Sequence, residues 1–389
     1  MLKRLPVVLA LIYIFDRVLK LVAVAHFFRR PPAPAPPVWP MVTLIQPVTR
    51  ATHDLNATLR TRTALDYPAL QQHLLVCDAA DTATQSLVRT LIAAHPGWQA
   101  KLLLAAPDGG AIASKITKIE TALPHATGDV LVCVDDDIAL RPNALRVLVP
   151  PLFQPGIGAT FGLACYTNWS NIPSALMSAF VNANALLSYI PLTYLTDPFT
   201  ITGHCFALRR TVWHAAGGLS GMPGRFDDDH ELARRVRGLG LRAAQTPLIY
   251  DVDNRLGTLA AYRAQMRRWF AMPRVAMAPF LTPREQMASL LGSAASLIPP
   301  LLLVLAALRR TRVAWGALAA ALACFAGGYA WCERAYLRRH TPSCRWPLVV
   351  VSALFTPLEV LAALAAGNEI EWRGQRLRLA RGGGYEVLE

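Results

Sequence analysis

From residue 41 the chain alternates between short apolar runs and amphipathic stretches. Residues 42–46, 71–77, 101–105 and 130–134 are short apolar runs, and residues 55–64, 82–94 and 114–123 fall between them. The runs predict strands and the intervening stretches predict helices. This alternation predicts an α/β domain with a mostly parallel sheet. In such a sheet ligands gather beyond the carboxyl ends of the strands. Two of the runs meet acid there: 71–77 leads to Asp78, with Asp81 three residues on, and 130–134 leads to Asp135, Asp136 and Asp137. A third acidic group, Asp227, Asp228 and Asp229, opens an expected helix in which Leu232, Ala233 and Val236 share a face with Asp229.

The flanks read differently. Residues 5–28 are long enough to cross a bilayer but are interrupted by Asp16, Arg17 and Lys20. A spanning helix with its charges against protein, an interfacial helix and a cleaved signal peptide behind the basic residues 1–4 all fit. The charges after the apolar run and the lack of a clean cleavage site favour an uncleaved anchor over 1–30. Residues 31–40 (PPAPAPPVWP) form a stiff polyproline-like spacer. A catalytic domain is expected over 41–270 and an interfacial segment over 271–284, with 271–280 as an interfacial helix. Transmembrane helices are expected within 285–367, from the apolar runs 290–307, 313–331 and 347–366. Residues 172–194 are apolar but contain Asn182 and Asn184, and read as a buried or acceptor-facing helix rather than a span. The tail, 368–389, is basic, and 372–379 alternates like a strand that packs on the catalytic domain. One early and three late spans would place the tail opposite the domain. Arg373, Arg376, Arg378 and Arg381 favour the cytosol instead.

Composition supports a globular domain between membrane segments. The chain is 53% hydrophobic and 16% charged, where a soluble domain carries about 25% charged residues. Its net charge of +14 is nearly all arginine, which with abundant alanine points to a GC-rich bacterial genome. No nucleic-acid-binding signature is present, so anionic lipid headgroups and a phosphorylated small molecule are the expected partners. The seven cysteines include no C-x-x-C pair and read as buried free thiols. The nine histidines lack zinc-site spacing.

Each acidic group has two readings. Asp78 and Asp81 suit a helix N-cap, or carboxylates that meet the base or ribose of a nucleotide. Asp135, Asp136 and Asp137 suit a solvated turn, or a divalent cation that relieves their repulsion and bridges to phosphate. Asp228 and Asp229 suit the positive end of a helix dipole; alternatively, Asp229 is a general base with its pKa raised by its neighbours. Downstream, Gln265, Arg268 and Trp269 fall at i, i+3 and i+4 of a helix. They suit either a basic membrane-surface helix or an arginine for diphosphate beside an indole plane for a sugar or headgroup.

The order D…D-x-D…D-D-x-x-L…Q-x-x-R-W is that of the processive and lipid-directed inverting glycosyltransferases of GT-A fold. The chain most resembles the ceramide glucosyltransferase family, family 21, which includes bacterial hopanoid-associated relatives. The likeness is carried by LDYPALQQHLLVCDAADTA (65–83), SKITKI (114–119), VDDDI (134–138), ITGHCFALRR and AAGGL (201–219), FDDDHELARRV (226–236), QMRRW (265–269) and EWRGQRLRL (371–379). It implies a GT-A (nucleotide-diphospho-sugar transferase) domain with a membrane anchor and C-terminal transmembrane helices. It implies transfer of a hexose from a UDP-sugar to a membrane lipid hydroxyl, with Mg2+ or Mn2+. By position, Asp78 or Asp81 lies near the uridine and Lys115 near the donor, Asp135 and Asp137 hold the metal, Asp229 is the base with Asp228 beside it, and Gln265, Arg268 and Trp269 complete the site. His230 stands where an aromatic residue is common, and 182–194 lacks the histidine-proline pair of animal members. The expected setting is a bacterial inner membrane with the catalytic domain in the cytosol. The competing classes are a processive polysaccharide synthase and a non-enzymatic nucleotide-sugar-binding membrane protein.

Overall fold

Alternate residues of the central apolar runs face opposite ways, and this builds the layers of the domain. In the computed structural model, which describes residues 4–49, 54–107, 113–222, 225, 227–372 and 375–388, Leu74 and Val76 pack on one side with Ile116 and Ile119. Leu75 and Cys77 pack on the other with Val88, Leu91, Leu55 and Leu59. The basic residues 1–3, Phe226 of the acidic motif and Arg373 of the tail lie outside the described residues.

The strands are β1 (Val42–Pro47), β2 (Gln71–Asp78), β3 (Ala100–Ala105), β4 (Val130–Val134), β5 (Ile138–Ala139), β6 (Ile157–Tyr166), β7 (Cys205–Arg209) and β8 (Arg242–Val252). They form one sheet in the order β3-β2-β1-β4-β7-β6-β8-β5. The pairs β3-β2, β2-β1 and β1-β4 are parallel, whereas β7 is antiparallel to β4 and β6, and β5 to β8. Arg242 N donates to Gly156 O and Thr246 Oγ1 to Phe161 O, so β6 and β8 run the same way. The sheet is therefore mostly parallel: only β5 and β7 oppose the rest.

The predicted strands and helices of the first half are present, with one shortening. The helix expected over 55–64 ends at Arg60, and the following turn brings Arg62 inside, where it is 1% exposed. The chain enters β4 through a tight approach. Gly128 N donates to Thr43 Oγ1 at 2.9 Å, and a Cβ on Gly128 would stand 2.5 Å from Thr43 N. Gly128→Ala should therefore destabilise the sheet by about 1–3 kcal/mol, measurable by denaturant titration of the detergent-solubilised chain.

Two compact units emerge. The sheet unit comprises Pro31–Ala164 and Asp197–Asp253, and the helical unit comprises Met1–Arg30, Cys165–Thr196 and Asn254–Glu389. Residues 254–270, expected within the catalytic domain, cluster with the helices.

Four helices of the helical unit are long and apolar enough to cross a membrane: Ile172–Leu192, Pro283–Arg309, Arg312–Leu337 and Ser343–Ala365. The first is the most buried, 67% of its window against 22%, 39% and 33% for the others. Asn182 explains part of this, because its amide bonds both the N–H and the carbonyl of Tyr166. The N-terminal helix Leu5–Arg29 turns its charges inward. Asp16 pairs with Arg17 and Lys20, and Lys20 Nζ also donates to Gly292 O at 2.7 Å. Leu11, Phe15, Leu19 and Val22 face outward. Its three charges thus lie against protein, as the first of the three readings requires.

The expected interfacial helix over 271–280 is instead the end of the helix Leu259–Met272, followed by two short helical turns, Pro273–Met277 and Ala278–Phe280. The alternation read as one strand over 372–379 is split in two: β9 (Glu369–Trp372) and β10 (Gln375–Leu379) pair antiparallel, and β11 (Tyr385–Leu388) joins β10. This small sheet clusters with the helical unit. Arg274 ties the segment before it, donating to Ala366 O and Asn368 Oδ1 at 2.9 Å each. None of the seven cysteines is in a disulfide among the described residues, and five of them are buried.

Candidate active site

Strand β4 is fully buried, and the chain leaves it directly into Asp135, Asp136 and Asp137. The turn is fixed from several sides. Asp135 N donates to His204 O, and Thr49 N donates to Asp136 Oδ2 at 2.6 Å. From within the unit, Arg62 donates through Nη2 to Ile138 O at 2.6 Å and to Asp135 O at 3.4 Å, and through Nε to Gln46 Oε1 at 3.0 Å. Burial lowers the Arg62 pKa to about 10. A cation is thus held beneath the acidic turn, grasping its backbone and leaving the carboxylates to other partners.

Those carboxylates are electrostatically strained. Desolvation, and then the neighbouring aspartates, push Asp136 and Asp137 up to about 6. Asp137 is the most open of the three.

Lys115 gathers two of the acidic clusters. It begins the helix Lys115–Ala122, which Ser114 caps by accepting from Thr117 N. Its Nζ lies 2.7 Å from Asp135 Oδ1 and 4.0 Å from Asp228 Oδ2, and donates to Gly203 O at 2.6 Å. Burial works against this ammonium, but Asp135 and Asp228 outweigh it and hold its pKa above the ordinary value.

Asp228 and Asp229 sit in the first turn of the helix Asp228–Gly238, where the helix dipole favours negative charge. The helix is anchored by Leu232, Ala233 and Val236 in the core and by buried Glu231, which pairs with Arg225 outside the helix as well as with Arg234 and Arg235 within it. Burial, and then Asp228, push Asp229 up to about 7. The neighbour effect expected from the sequence is present, but burial is the larger cause. His230 N donates to Asp229 Oδ1 at 2.7 Å. Gly203 lies against Asp229, where an added Cβ would come within 3.4 Å of the carboxylate.

Asp78 and Asp81 separate clearly. Asp81 is a helix N-cap: its carboxylate accepts from Thr84 N at 3.0 Å and Thr84 Oγ1 at 2.6 Å. Asp78 is 3% exposed. It pairs with Lys118 at 2.6 Å and also accepts from Ala113 N.

Gln265, Arg268 and Trp269 belong to the helical unit, on the helix Leu259–Met272, and all three are half-buried. Trp269 meets Tyr166 edge-on at 6.2 Å and Phe180 at 6.4 Å. Tyr262 and Met266, on the same helix, are buried.

Among the described residues no three histidine, cysteine, aspartate or glutamate side chains form a ready-made metal cage. Asp135 and Asp137 nevertheless fit a hard divalent ion. Magnesium-type sites commonly use one or two carboxylates, with waters and substrate phosphates completing the shell. The carboxylate pKa values pushed up around the turn are what such an ion would bring down.

Arg62, Gln46, Lys118 and Gly203 also shape this geometry, and the acidic and Q-x-x-R-W motifs do not point to them. Lys118 lies three residues beyond Lys115 in SKITKI, so the spacing of two lysines was the available signal. Arg62 and Gln46 act largely through backbone carbonyls and carry none.

The fold and these acidic strand ends place the protein among the GT-A nucleotide-sugar glycosyltransferases. It is similar in structure to PcManGT, a mannosyltransferase from Pyrobaculum calidifontis solved with GDP-Man and Mn2+, with 21% identity, a TM-score of 0.55, and 93% of this chain and 99% of that one covered. A looser match is GalNAc-T7 with UDP, GalNAc and Mn2+, at 11% identity and TM-score 0.43 over 66% of this chain and 55% of that one. Another is glucosyl-3-phosphoglycerate synthase from Mycobacterium tuberculosis with Mn2+, UDP and glucosyl-3-phosphoglycerate, at 16% identity and TM-score 0.37 over 60% and 79%. The chain belongs to glycosyl transferase family 21, whose model matches residues 5–385.

Proposed function

We propose that the protein transfers one hexose from a UDP-sugar, UDP-glucose or UDP-GlcNAc, to the hydroxyl of a membrane lipid, with inversion at the anomeric carbon. The acceptor is ceramide-, hopanoid- or glycerolipid-like, and the setting is a bacterial inner membrane with the sheet unit in the cytosol. The observation that carries this reading is Lys115, within 2.7 Å of Asp135 and 4.0 Å of Asp228. It draws the acidic end of β4 together with the helix start that bears Asp229.

In the reaction the bond from the anomeric carbon to the UDP oxygen breaks, and a bond to the acceptor oxygen forms on the opposite face. Asp229 accepts the hydroxyl proton. Asp228 holds Lys115 toward the donor and keeps Asp229 from ionising too readily. Asp135 and Asp137 hold Mg2+ or Mn2+, which when bound supplies positive charge to the departing diphosphate. Asp78 or Asp81 serves the uridine end, Gln265 and Arg268 the diphosphate, and Trp269 the sugar or headgroup. The long apolar helices support a lipid acceptor.

The test is incubation of the purified full chain with UDP-glucose, UDP-GlcNAc or GDP-mannose and with ceramide, hopanoid or diacylglycerol, followed by mass spectrometry. One hexose per lipid, from a UDP donor, is the expected product. A polymer, transfer from GDP-mannose alone, or no turnover would overturn the reading. Asp137→Ala should weaken Mn2+ binding by at least about tenfold, since even outer-shell changes reach that size. Calorimetry with Mn2+ and UDP measures this directly, and unchanged affinity removes Asp137 from the metal site.

A further inference from the structure

The four long apolar helices and the N-terminal helix make five segments of spanning length. Their ends can be sorted by contacts within the helical unit. The N-terminal helix leaves at Arg30 into the spacer and then the sheet unit. Phe28, near that end, stacks on Tyr336 at 4.3 Å, so Arg312–Leu337 finishes there. Leu21 lies against Gly328, one helix stretch farther in, so these two helices run the same way. Lys20 bonds Gly292 O. Arg284, at the beginning of its helix, bonds Leu195 O, while Tyr194 bonds Ala23 O. Pro283–Arg309 therefore begins at the Arg30 end and finishes at the opposite one. Arg309 and Arg312 lie together at that far end.

The remaining two helices behave otherwise. Ile172–Leu192 belongs to an excursion that leaves the sheet unit after Ala164 and returns to it at Asp197. A single helix of 21 residues cannot cross a bilayer and return. Ser343–Ala365 is fastened to the same end at both of its termini. At its start, Arg345 donates to Trp169 O at 2.9 Å and Ser170 O at 2.8 Å, just beyond β6. At its finish, Ala366 O accepts from Arg274 at 2.9 Å. Between these points Phe355 stacks on Tyr262 and Glu359 pairs with Arg263 at 3.4 Å. Its second half thus runs beside the helix Leu259–Met272, whose Arg263 and Arg267 are exposed. Exposed guanidinium groups are costly in the hydrocarbon core, so the pair belongs at a water-facing level.

We propose that only Leu5–Arg29, Pro283–Arg309 and Arg312–Leu337 cross the bilayer. Ile172–Leu192 and Ser343–Ala365 lie in the leaflet at the Arg30 end of those three helices and form a lipid-contacting platform. The partner is the acyl and headgroup region of that leaflet, which meets the exposed Val351, Leu358, Leu361 and Leu364. Three crossings bring the tail to the same face as the Arg30 end, which its arginines favour. They also bring Arg29, Arg30, Arg284, Arg338, Arg339 and Arg345 to that side, in keeping with the charge rule for membrane orientation. The inference rests on membrane insertion and not on glycosyl transfer.

The test is labelling of the full chain by a membrane-impermeant maleimide, in sealed vesicles of both orientations. Cys344 is exposed and serves as a native probe. Val38→Cys, Arg310→Cys and Glu386→Cys are introduced singly into a Cys344→Ser background. Cys344, Val38→Cys and Glu386→Cys should react from one face, and Arg310→Cys from the other. Reaction of Glu386→Cys from the face opposite Cys344 means that Ser343–Ala365 crosses, which overturns the proposal; so does reaction of Arg310→Cys from the Val38 face. Protease access to an epitope at the C-terminus, compared with Cys344 labelling of the otherwise unaltered chain, gives the same answer if a cysteine variant does not insert. Because no turnover is read, failure here leaves the proposed reaction standing, and failure of the reaction leaves this topology standing.

Discussion

Asp229→Asn is expected to lower the rate of transfer by about 100- to 10,000-fold, the range for loss of a positioned general base, with donor affinity nearly unchanged. The amide keeps the shape of the side chain and its place beside Gly203, but it cannot take a proton. Steady-state rates with saturating donor and acceptor, set beside UDP-sugar binding by calorimetry, separate the two effects. Full activity in this variant would remove Asp229 from the reaction. A pH profile adds an independent check. Burial and Asp228 raise the Asp229 pKa to about 7, and only the ionised carboxylate can act as base. The rate kcat/KM should therefore fall about tenfold for each pH unit below the base's pKa, and level off above it. The divalent ion and donor, being charged, will move that pKa in the ternary complex, so the kcat profile is expected to break at a different pH. Loss of the acidic limb in Asp229→Asn, measured on its residual activity, would tie that limb to this side chain.

The first half of the sheet was legible because each of its strands is a short apolar run followed by a polar break. Strands β1 to β4 obey this rule, and β4 is buried throughout. The mixed half obeyed no such rule. Strand β6 contains Gly158 and Gly162, which admit close neighbours: added Cβ atoms would come within 2.5 Å of Val236 and 3.0 Å of Leu248 O, respectively. Strand β8 contains Gln245 and Pro247, and Gln245 bonds the carbonyl of Phe161 across the sheet. Glycine, glutamine and proline all weaken a strand signal, although here they serve packing and cross-strand bonding. The tail misled in the opposite way, since one run of alternating residues spans two strands of a hairpin.

The candidate site was legible where acid clusters along the chain, and obscure where one partner is backbone. Asp135, Asp137, Asp228 and Asp229 stand out in any reading of the chain. Arg62 does not, because its main partners are the carbonyls of Asp135 and Ile138, more than seventy residues away. Asp81 illustrates the converse. It fits both a nucleotide contact and an N-cap by sequence, and its two bonds to Thr84 show that it is capping a helix. The lesson for Lys115 and Lys118, on one helix three residues apart, is that near neighbours serve different ends. Lys115 joins Asp135 and Asp228, whereas Lys118 is turned into the interior toward Asp78.

That interior pair carries the largest stability effect expected in the sheet unit. The side chains of Lys118 and Asp78 are 1% and 4% exposed, their charged atoms stand 2.6 Å apart, and Lys118 Nζ also donates to Val48 O at 2.9 Å. Asp78→Ala would leave an ammonium without its counter-charge in a dry place, and should cost about 3–5 kcal/mol. Lys118→Met should do comparable harm by stranding the carboxylate. The double variant Asp78→Leu with Lys118→Met should regain most of the loss, because well-packed apolar pairs often equal buried ion pairs. It should not regain all, because Ala113 N and Val48 O each lose a partner, at about 1–3 kcal/mol for a buried group left unsatisfied. Hydrogen exchange along residues 71–78 reads this locally, independent of how the helical unit melts. If Asp78→Ala left that protection intact, the pair with Lys118 would not be what holds the strand end.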